Sequence, residues 1–254
     1  MKTSMLKIPG RFLAGLLFTA SLLGLSATSQ AATIVADFNG DGKSDTATIT
    51  AASGSISIAH GGGGAVTRYN TVANWLTISA LEANGVAGQE LVATFANGYV
   101  FVVNDRNRTT RGYNVPGISS TLGARTLFFS ELNGAAGNEI LFIYSGGYVA
   151  VVDNRLNVVR GYNVFGVGFG GPTRYLRIAE FNGVAGNEIM FSYMSGASQV
   201  VDDRLRTVRT YNYLSDGSAP TYSNVDGVAG LEAIFHYGAS TIWLVDRTRS
   251  VSYH

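Results

Sequence analysis

One phrase occurs five times along the chain. It reads DFNGDGKSD at Asp37–Asp45, EANGVAGQE at Glu82–Glu90, ELNGAAGNE at Glu131–Glu139, EFNGVAGNE at Glu180–Glu188 and NVDGVAGLE at Asn224–Glu232. The steps between copies are 45, 49, 49 and 44 residues. A second phrase keeps step with it. VVNDRNRTTRGYN ends at Asn114, VVDNRLNVVRGYN at Asn163 and VVDDRLRTVRTYN at Asn212, with degenerate forms ending at Asn70 and His254. Two phrases locked in phase make each repeat one supersecondary unit, which cannot bury its faces alone and must pack on its neighbours.

Within a repeat the hydrophobic period is two. Thr126–Ser130, Ile140–Tyr144, Tyr148–Val152 and Val158–Tyr162 are short runs rich in Val, Ile, Phe and Tyr, bounded by Gly, Asn or Asp. No later stretch sustains helical spacing for three turns. Four short antiparallel strands per period of about 45 residues are the pattern of a propeller blade. The expected fold is therefore all-β, a five-bladed β-propeller with four antiparallel strands per blade. A solenoid of stacked sheets competes, but it wants polar caps at its ends, and none is evident at this level. The longest connections, Val115–Ala124, Val164–Thr173 and Tyr213–Ala219, follow the Tyr-Asn pair. They place the blades at 33–70, 74–114, 124–163, 173–212 and 219–254. Closure is then a face-to-face contact between first and last blades. A register shifted by one strand would instead let Thr33–Phe38 complete the last blade.

The first residues read differently. Lys2, Lys7 and Arg11 precede a fourteen-residue apolar stretch, Phe12–Leu25, and Ser29-Gln30-Ala31 is a small-x-small site. This predicts a secretory signal peptide over 1–31 and a mature propeller over 32–254. Fourteen apolar residues are too few to span a bilayer, which takes about 20. The expected location is outside the cytoplasm, extracellular or periplasmic, with no membrane span. Cleavage removes three of 18 basic residues and none of the 17 acidic ones, moving the formal balance from +1 to −2. No large positive balance remains to mark a nucleic-acid partner. The absence of cysteine excludes disulfides, thiolate metal sites and cysteine nucleophiles.

The first copy of the acidic phrase differs from the others. Asp37, Asn39, Asp41 and Asp45 stand at positions 1, 3, 5 and 9, with Gly40 and Gly42 allowing a tight bend. Side-chain oxygens at alternate positions, with the Lys43 carbonyl at position 7, are what calcium takes. D-x-N-G-D-G-x-x-D between two short strands resembles the calcium loop of FG-GAP/VCBS repeats. Those repeats build the propeller of integrin alpha subunits and many exported bacterial proteins. The resemblance covers all five repeats in layout and the first in its full motif. It implies calcium at Asp37, Asn39, Asp41 and Asp45. In the other copies position 5 is Val86, Ala135, Val184 or Val228, and the glycine at position 6 becomes alanine. There, Asn at position 3 and Glu at position 9 are expected to cap backbone N–H groups without metal.

The second phrase repeats Arg111-x-Tyr113-Asn114, Arg160-x-Tyr162-Asn163 and Arg209-x-Tyr211-Asn212. Arg and Tyr two apart share one strand face. One reading has Arg pairing with a turn Asp to seal each blade edge. The other makes these residues equivalent ligand pockets, suited to sugars and additive in avidity. The functional expectation is a non-catalytic module that binds an extracellular glycan or protein. The alternatives are a structural propeller without small ligand and a small polysaccharide-acting enzyme. Catalysis has thin support, since glycosidase chemistry needs two carboxylates in a cleft and nearly every acid here repeats. Asp216 is the exception. His60, His236 and His254 are scattered, and no G-x-S-x-G occurs. His60–Gly64 reads as a flexible turn.

Overall fold

The computed structural model describes residues 31–117, 121–166 and 174–254; the segment in which the leader is expected lies outside them. Among the described residues, twenty strands form five sheets of four, and no helix is long and apolar enough to cross a membrane. The first sheet is β1 (Ala31–Ala36), β2 (Asp45–Thr50), β3 (Ser55–Ala59) and β4 (Val66–Asn70). The second is β5 (Trp75–Leu81), β6 (Glu90–Phe95), β7 (Tyr99–Asn104) and β8 (Thr109–Asn114). The third is β9 (Arg125–Ser130), β10 (Glu139–Tyr144), β11 (Tyr148–Asp153) and β12 (Val158–Asn163). The fourth is β13 (Arg174–Ala179), β14 (Glu188–Tyr193), β15 (Ala197–Asp202) and β16 (Thr207–Asn212). The fifth is β17 (Thr221–Ser223), β18 (Glu232–Tyr237), β19 (Ser240–Val245) and β20 (Ser250–Tyr253). Every sheet is an antiparallel meander in chain order, so no strand is lent from one end of the chain to the other. The chain is a five-bladed β-propeller.

The inner faces follow from the sequence pattern. β6, β10 and β14 are buried along their whole length, because these blades are covered on both sides. Strands covered on both sides read as continuous apolar runs, EILFIY for example. Alternate residues then serve alternate junctions. Ala150 and Val152 pack toward the second blade with Val92, Val100 and Val102, while Val149 and Val151 pack toward the fourth with Ile189 and Phe191. Two further apolar clusters join blades one to two and four to five.

Backbone bonds tie the same four junctions. The amide at position 8 of each acidic loop donates to the carbonyl at position 1 of the loop before it. These bonds run from Gln89 to Asp37, Asn138 to Glu82, Asn187 to Glu131 and Leu231 to Glu180, at 2.7–2.9 Å. The glycine at position 4 lies under the next loop. A Cβ on Gly40, Gly85, Gly134 or Gly183 would sit 2.4–2.7 Å from the carbonyl oxygen of Ala87, Ala136, Ala185 or Ala229.

The seam between fifth and first blades differs from the other four junctions. Among the described residues no apolar cluster, hydrogen bond or ion pair joins these two blades. Gly227 at position 4 and Gly42 at position 6 have open space where a Cβ would stand. The reason is in the side chains. The face of the first blade turned away from the second carries Thr46, Thr48, Thr50, Ser55 and Ser57, all half-buried. The second blade has Leu91, Ala93, Phe95 and Phe101 at four of those places, all buried. This face of the first blade is thus polar where its counterpart in the second is apolar.

Candidate functional site

Because each blade is a meander, the acidic loop between strands one and two shares a face with the turn between strands three and four. Arg106 Nη1 donates to Ala87 O at 2.7 Å and Arg204 Nη1 to Ala185 O at 3.3 Å, linking the two within a blade. The candidate site is built on this face.

In the third blade Glu139 is buried at position 9. Its Oε2 accepts the Leu132 N–H at 2.7 Å and its Oε1 accepts Asn133 Nδ2 at 2.5 Å. Asn133 also donates to Asp153 Oδ2 at 3.0 Å. Arg160 then bridges two blades. It donates to Asp153 Oδ2 at 3.1 Å within its own blade, and from Nε and Nη2 to both oxygens of Asp203 in the next, at 2.7 and 2.5 Å. The Tyr162 hydroxyl donates to the same Asp203 at 2.5 Å. The fourth blade repeats the chain of contacts through Glu188, Asn182, Asp202, Arg209, Asp246 and Tyr211. The two repeated phrases are thus one network, closed across a blade junction.

The electrostatics follow from that burial. Burial works against the Arg160 guanidinium, but Asp203 and Asp153 hold it charged, and its pKa is raised. Burial and the Asp203 carboxylate push the Tyr162 hydroxyl up. Burial pushes Glu90 and Glu139 up to about 7 and Glu188 up to about 8, against the pull of the backbone amides they accept. Such buried pairs are costly to break from one side, because the remaining charge has no water to turn to.

The other junctions vary the theme. Between second and third blades the acceptor is Asn154: Arg111 donates to its carbonyl, and Tyr113 to Oδ1 at 2.7 Å. Between first and second, Tyr69 donates to Asp105 at 2.7 Å, and Thr67 stands where Arg stands elsewhere. His60 fills the gap, 3.4 Å from Asp105 and 3.6 Å from Asp45, with Thr67 Oγ1 at 2.8 Å. This residue was expected in a flexible turn. The signal that could have found it is its place in the repeat, directly after the third strand, where the other blades carry Asp or Asn. In the fifth blade Arg247 pairs with Glu232 at 3.1 Å and with Asp226. There the strand register puts His254 where Tyr stands and Ser252 where Arg stands, one residue from the alignment read in the sequence.

Arg111, Arg160 and Arg209 lie at the junctions, and Tyr113, Tyr162 and Tyr211 are buried beside them. Asn114, Asn163 and Asn212 are exposed at the far ends of their strands, away from the Arg side chains. Two clefts open on the loop face. One, of about 160 Å3, lies between second and third blades and is lined by Asn84, Asn104, Asn107, Thr109, Arg111 and Arg155 among others. The next, of about 190 Å3, lies between third and fourth and is lined by Asn133, Arg155, Arg160, Asp203, Arg204 and Arg206 with Leu156. Asp216 accepts the Ser218 amide at 2.9 Å and caps its own turn; hydrogen bonding from the Ser218 side chain, and then from its amide, lowers its pKa.

The first acidic loop is tightly bonded. Asp37 accepts the amides of Gly40, Asp41 and Gly42 at 2.7, 3.2 and 2.8 Å. Asn39 accepts Asp41 N and Asp41 accepts Lys43 N, each at 2.8 Å. Asp45, buried, accepts Phe38, Asn39 and Gly61 amides at 3.0, 3.3 and 2.9 Å. The loops without an acid at position 5 close with the same kind of bonds, as when Asn84 Oδ1 takes Val86 N at 2.7 Å. Among the described residues no three His, Cys, Asp or Glu side chains converge as a metal group. Asp37 Oδ1 and Asp45 Oδ2 already take two amides each, but Asp37 Oδ2, Asp45 Oδ1 and the Asp41 carboxylate take one or none and keep lone pairs that suit a hard cation.

No protein-family model and no curated protein matches the sequence. Solved β-propellers are similar in fold. Virginiamycin B lyase from Staphylococcus aureus is 12% identical, with 89% of this chain and 74% of that one covered and a TM-score of 0.40. An Agrocybe aegerita lectin that recognises non-reducing terminal N-acetylglucosamine is 13% identical, with 89% and 80% covered and a TM-score of 0.41. BamB from Moraxella catarrhalis is 15% identical, with 88% and 66% covered and a TM-score of 0.40. At these identities the likeness is one of architecture and carries no chemistry to this chain.

Proposed function

We propose that this protein is an exported, non-catalytic binding module of the FG-GAP/VCBS kind that recognises an extracellular glycan or protein through equivalent surfaces on successive blades. The observation that carries the reading is the pair of clefts at consecutive junctions, at equivalent places on one face. Their walls are Asn, Thr and Arg side chains, which read hydroxyls and other polar groups. Arg111 and Arg160 reach such a ligand from the cleft walls, while Tyr113, Tyr162 and Tyr211 hold the spacing of the blades. Asn114, Asn163 and Asn212 offer a second polar row on the opposite rim. Repetition then multiplies weak contacts into avidity for a repetitive ligand.

Calcium belongs to the first loop in this reading. Asp37, Asn39, Asp41, Asp45 and the Lys43 carbonyl would hold it, and its role there is to stiffen the loop. Calcium is expected to raise the melting temperature, and Asp41→Ala to abolish the rise; a wild-type protein indifferent to calcium removes the metal. The binding reading is tested on a glycan array with and without calcium, followed by chemical-shift mapping. Ligand-dependent shifts in several blades at once are expected. A blank array with a stable protein partner or oligomer favours an assembly role instead.

A further inference from the structure

The outer turns of blades two to five separate their charges. Their carboxylates are withdrawn: Asp153 and Asp203 are bonded to Arg160, and Asp202 and Asp246 to Arg209. Their other arginines stand outside. Arg106, Arg108, Arg155, Arg204, Arg206 and Arg249 are all exposed. Arg106 and Arg204 each lend one N–H to a backbone carbonyl, whereas no ion pair or hydrogen bond takes the guanidiniums of Arg108, Arg155, Arg206 and Arg249 among the described residues. Glu131 and Glu180 of the acidic loops accept their own loop amides at Gly134 and Gly183.

The backbone adds an independent observation. The last residue of each turn is left-handed: Arg108, Asn157, Arg206 and Arg249 have φ of 52, 56, 56 and 54°. Gly or Asn holds that conformation at least cost, and other residues are disfavoured by about 1–2 kcal/mol. Three of four turns carry arginine there regardless. Strain kept at an exposed position points to use. In the third blade Asn157 takes the strained place, and the turn keeps only Arg155, at the position that Arg106 and Arg204 hold in their own turns. Arg155 from one blade and Arg204 and Arg206 from the next then line one cleft.

We propose that this cleft, with the arc of outer turns that continues it, binds the carboxylate or sulfate groups of an acidic polysaccharide. The inference rests on the binding-module reading and names its ligand class. Guanidinium forks match planar and tetrahedral oxyanions. The neighbouring Asn84, Asn104, Asn107 and Thr109 supply partners for sugar hydroxyls. The four turns offer no aromatic ring on which a nucleobase could stack.

The test is calorimetric titration of the mature protein with polygalacturonate, dextran sulfate, neutral dextran and a double-stranded DNA fragment. At least one acidic polysaccharide binds, dextran does not, and affinity falls about tenfold between low and physiological salt. The double variant Arg155→Ala/Arg206→Asn loses about tenfold in affinity for that polymer, with no loss of melting temperature because Asn accepts the left-handed backbone. Unchanged affinity in the double variant overturns the proposal. So does DNA binding as tight as the acidic polymer, or no binding of either acidic polymer. A neutral glycan bound on the array, undiminished in the double variant, sinks the anion cleft alone and leaves the binding module standing.

Discussion

At the junction of the third and fourth blades, an apolar cluster, a loop-to-loop amide bond and a two-carboxylate arginine clamp act together. At the seam between the fifth and first blades, the same phrases are present and none of these contacts forms among the described residues. Gly134 and Gly227 show the contrast in one atom. Both stand at position 4, with φ of 78 and 76°, yet only the first has a neighbour against it. A repeated phrase therefore specifies the blade, while the junction is specified by what faces it. Thr46, Thr48 and Thr50 face the seam where Leu91, Ala93 and Phe95 face a neighbour.

The largest expected effect comes from the clamp. Asp203→Ala leaves Arg160 short of its main partner and the Tyr162 hydroxyl without an acceptor. Removing one side of a buried pair costs about 3–5 kcal/mol. Asp203→Asn is expected to cost less, since Asn154 already serves as acceptor at the preceding junction. At the seam, Ser252→Ala changes stability by less than ~0.5 kcal/mol. Urea denaturation of the three variants measures the difference. A mild Asp203→Ala means that the clamp is ornamental to the junction.

The paired glycines come next. Gly227→Ala bears only the left-handed backbone penalty, about 1 kcal/mol. Gly134→Ala bears that penalty and a Cβ placed 2.5 Å from Ala185 O, and is expected to cost about 3 kcal/mol. Equal losses for the two variants would close the seam and refute the contrast.

These comparisons also show what a single sequence carries. Strand order, turn positions and blade number are local matters, written in period-two runs and in Gly, Asn and Asp between them. The acidic phrase likewise announced Asn133 and Glu139 as caps, and both cap their loop. Which Asp an arginine meets is a different matter. Asp153 and Asp203 occupy near-equivalent turns of successive copies, so repetition hides whether Arg160 bonds within its blade or across to the next; it does both. His60 was missed for the opposite reason, since it departs from the repeat at a position where only the fold reveals its partners. The polar face of the first blade is written openly, as the alternating Thr of DTATIT.

The pH dependence sharpens the contrast at the sealed blades. Glu90, Glu139 and Glu188 rise from the ordinary 4.5 to about 7, 7 and 8, chiefly through burial. A carboxyl raised on folding binds more protons in the native state than in the unfolded chain between those values. Its contribution is complete below about pH 4.5 and is lost as pH climbs through 7–8. Stability is expected to fall between pH 5 and 8 by roughly 1 kcal/mol per glutamate, after allowance for the amides that favour the ionised form. Glu188→Gln should flatten the slope of the urea midpoint against pH. A midpoint that rises over this interval contradicts the assignment.

The smallest effect tests the cap. Thr48→Val adds an apolar group to a half-buried face and removes a hydroxyl that water can still reach. Its stability change is expected to stay within about 0.5 kcal/mol, whereas at a sealed junction a well-chosen apolar replacement would register clearly. The informative readout is association, by sedimentation velocity over a concentration series. A terminal repeat needs a polar outer face to remain soluble. Replacing Thr46, Thr48 and Thr50 together by Val should therefore drive self-association while leaving the urea midpoint almost unmoved. A triple variant that stays monomeric and gains stability would mean that the fifth blade already covers this face, and the seam would be one more junction.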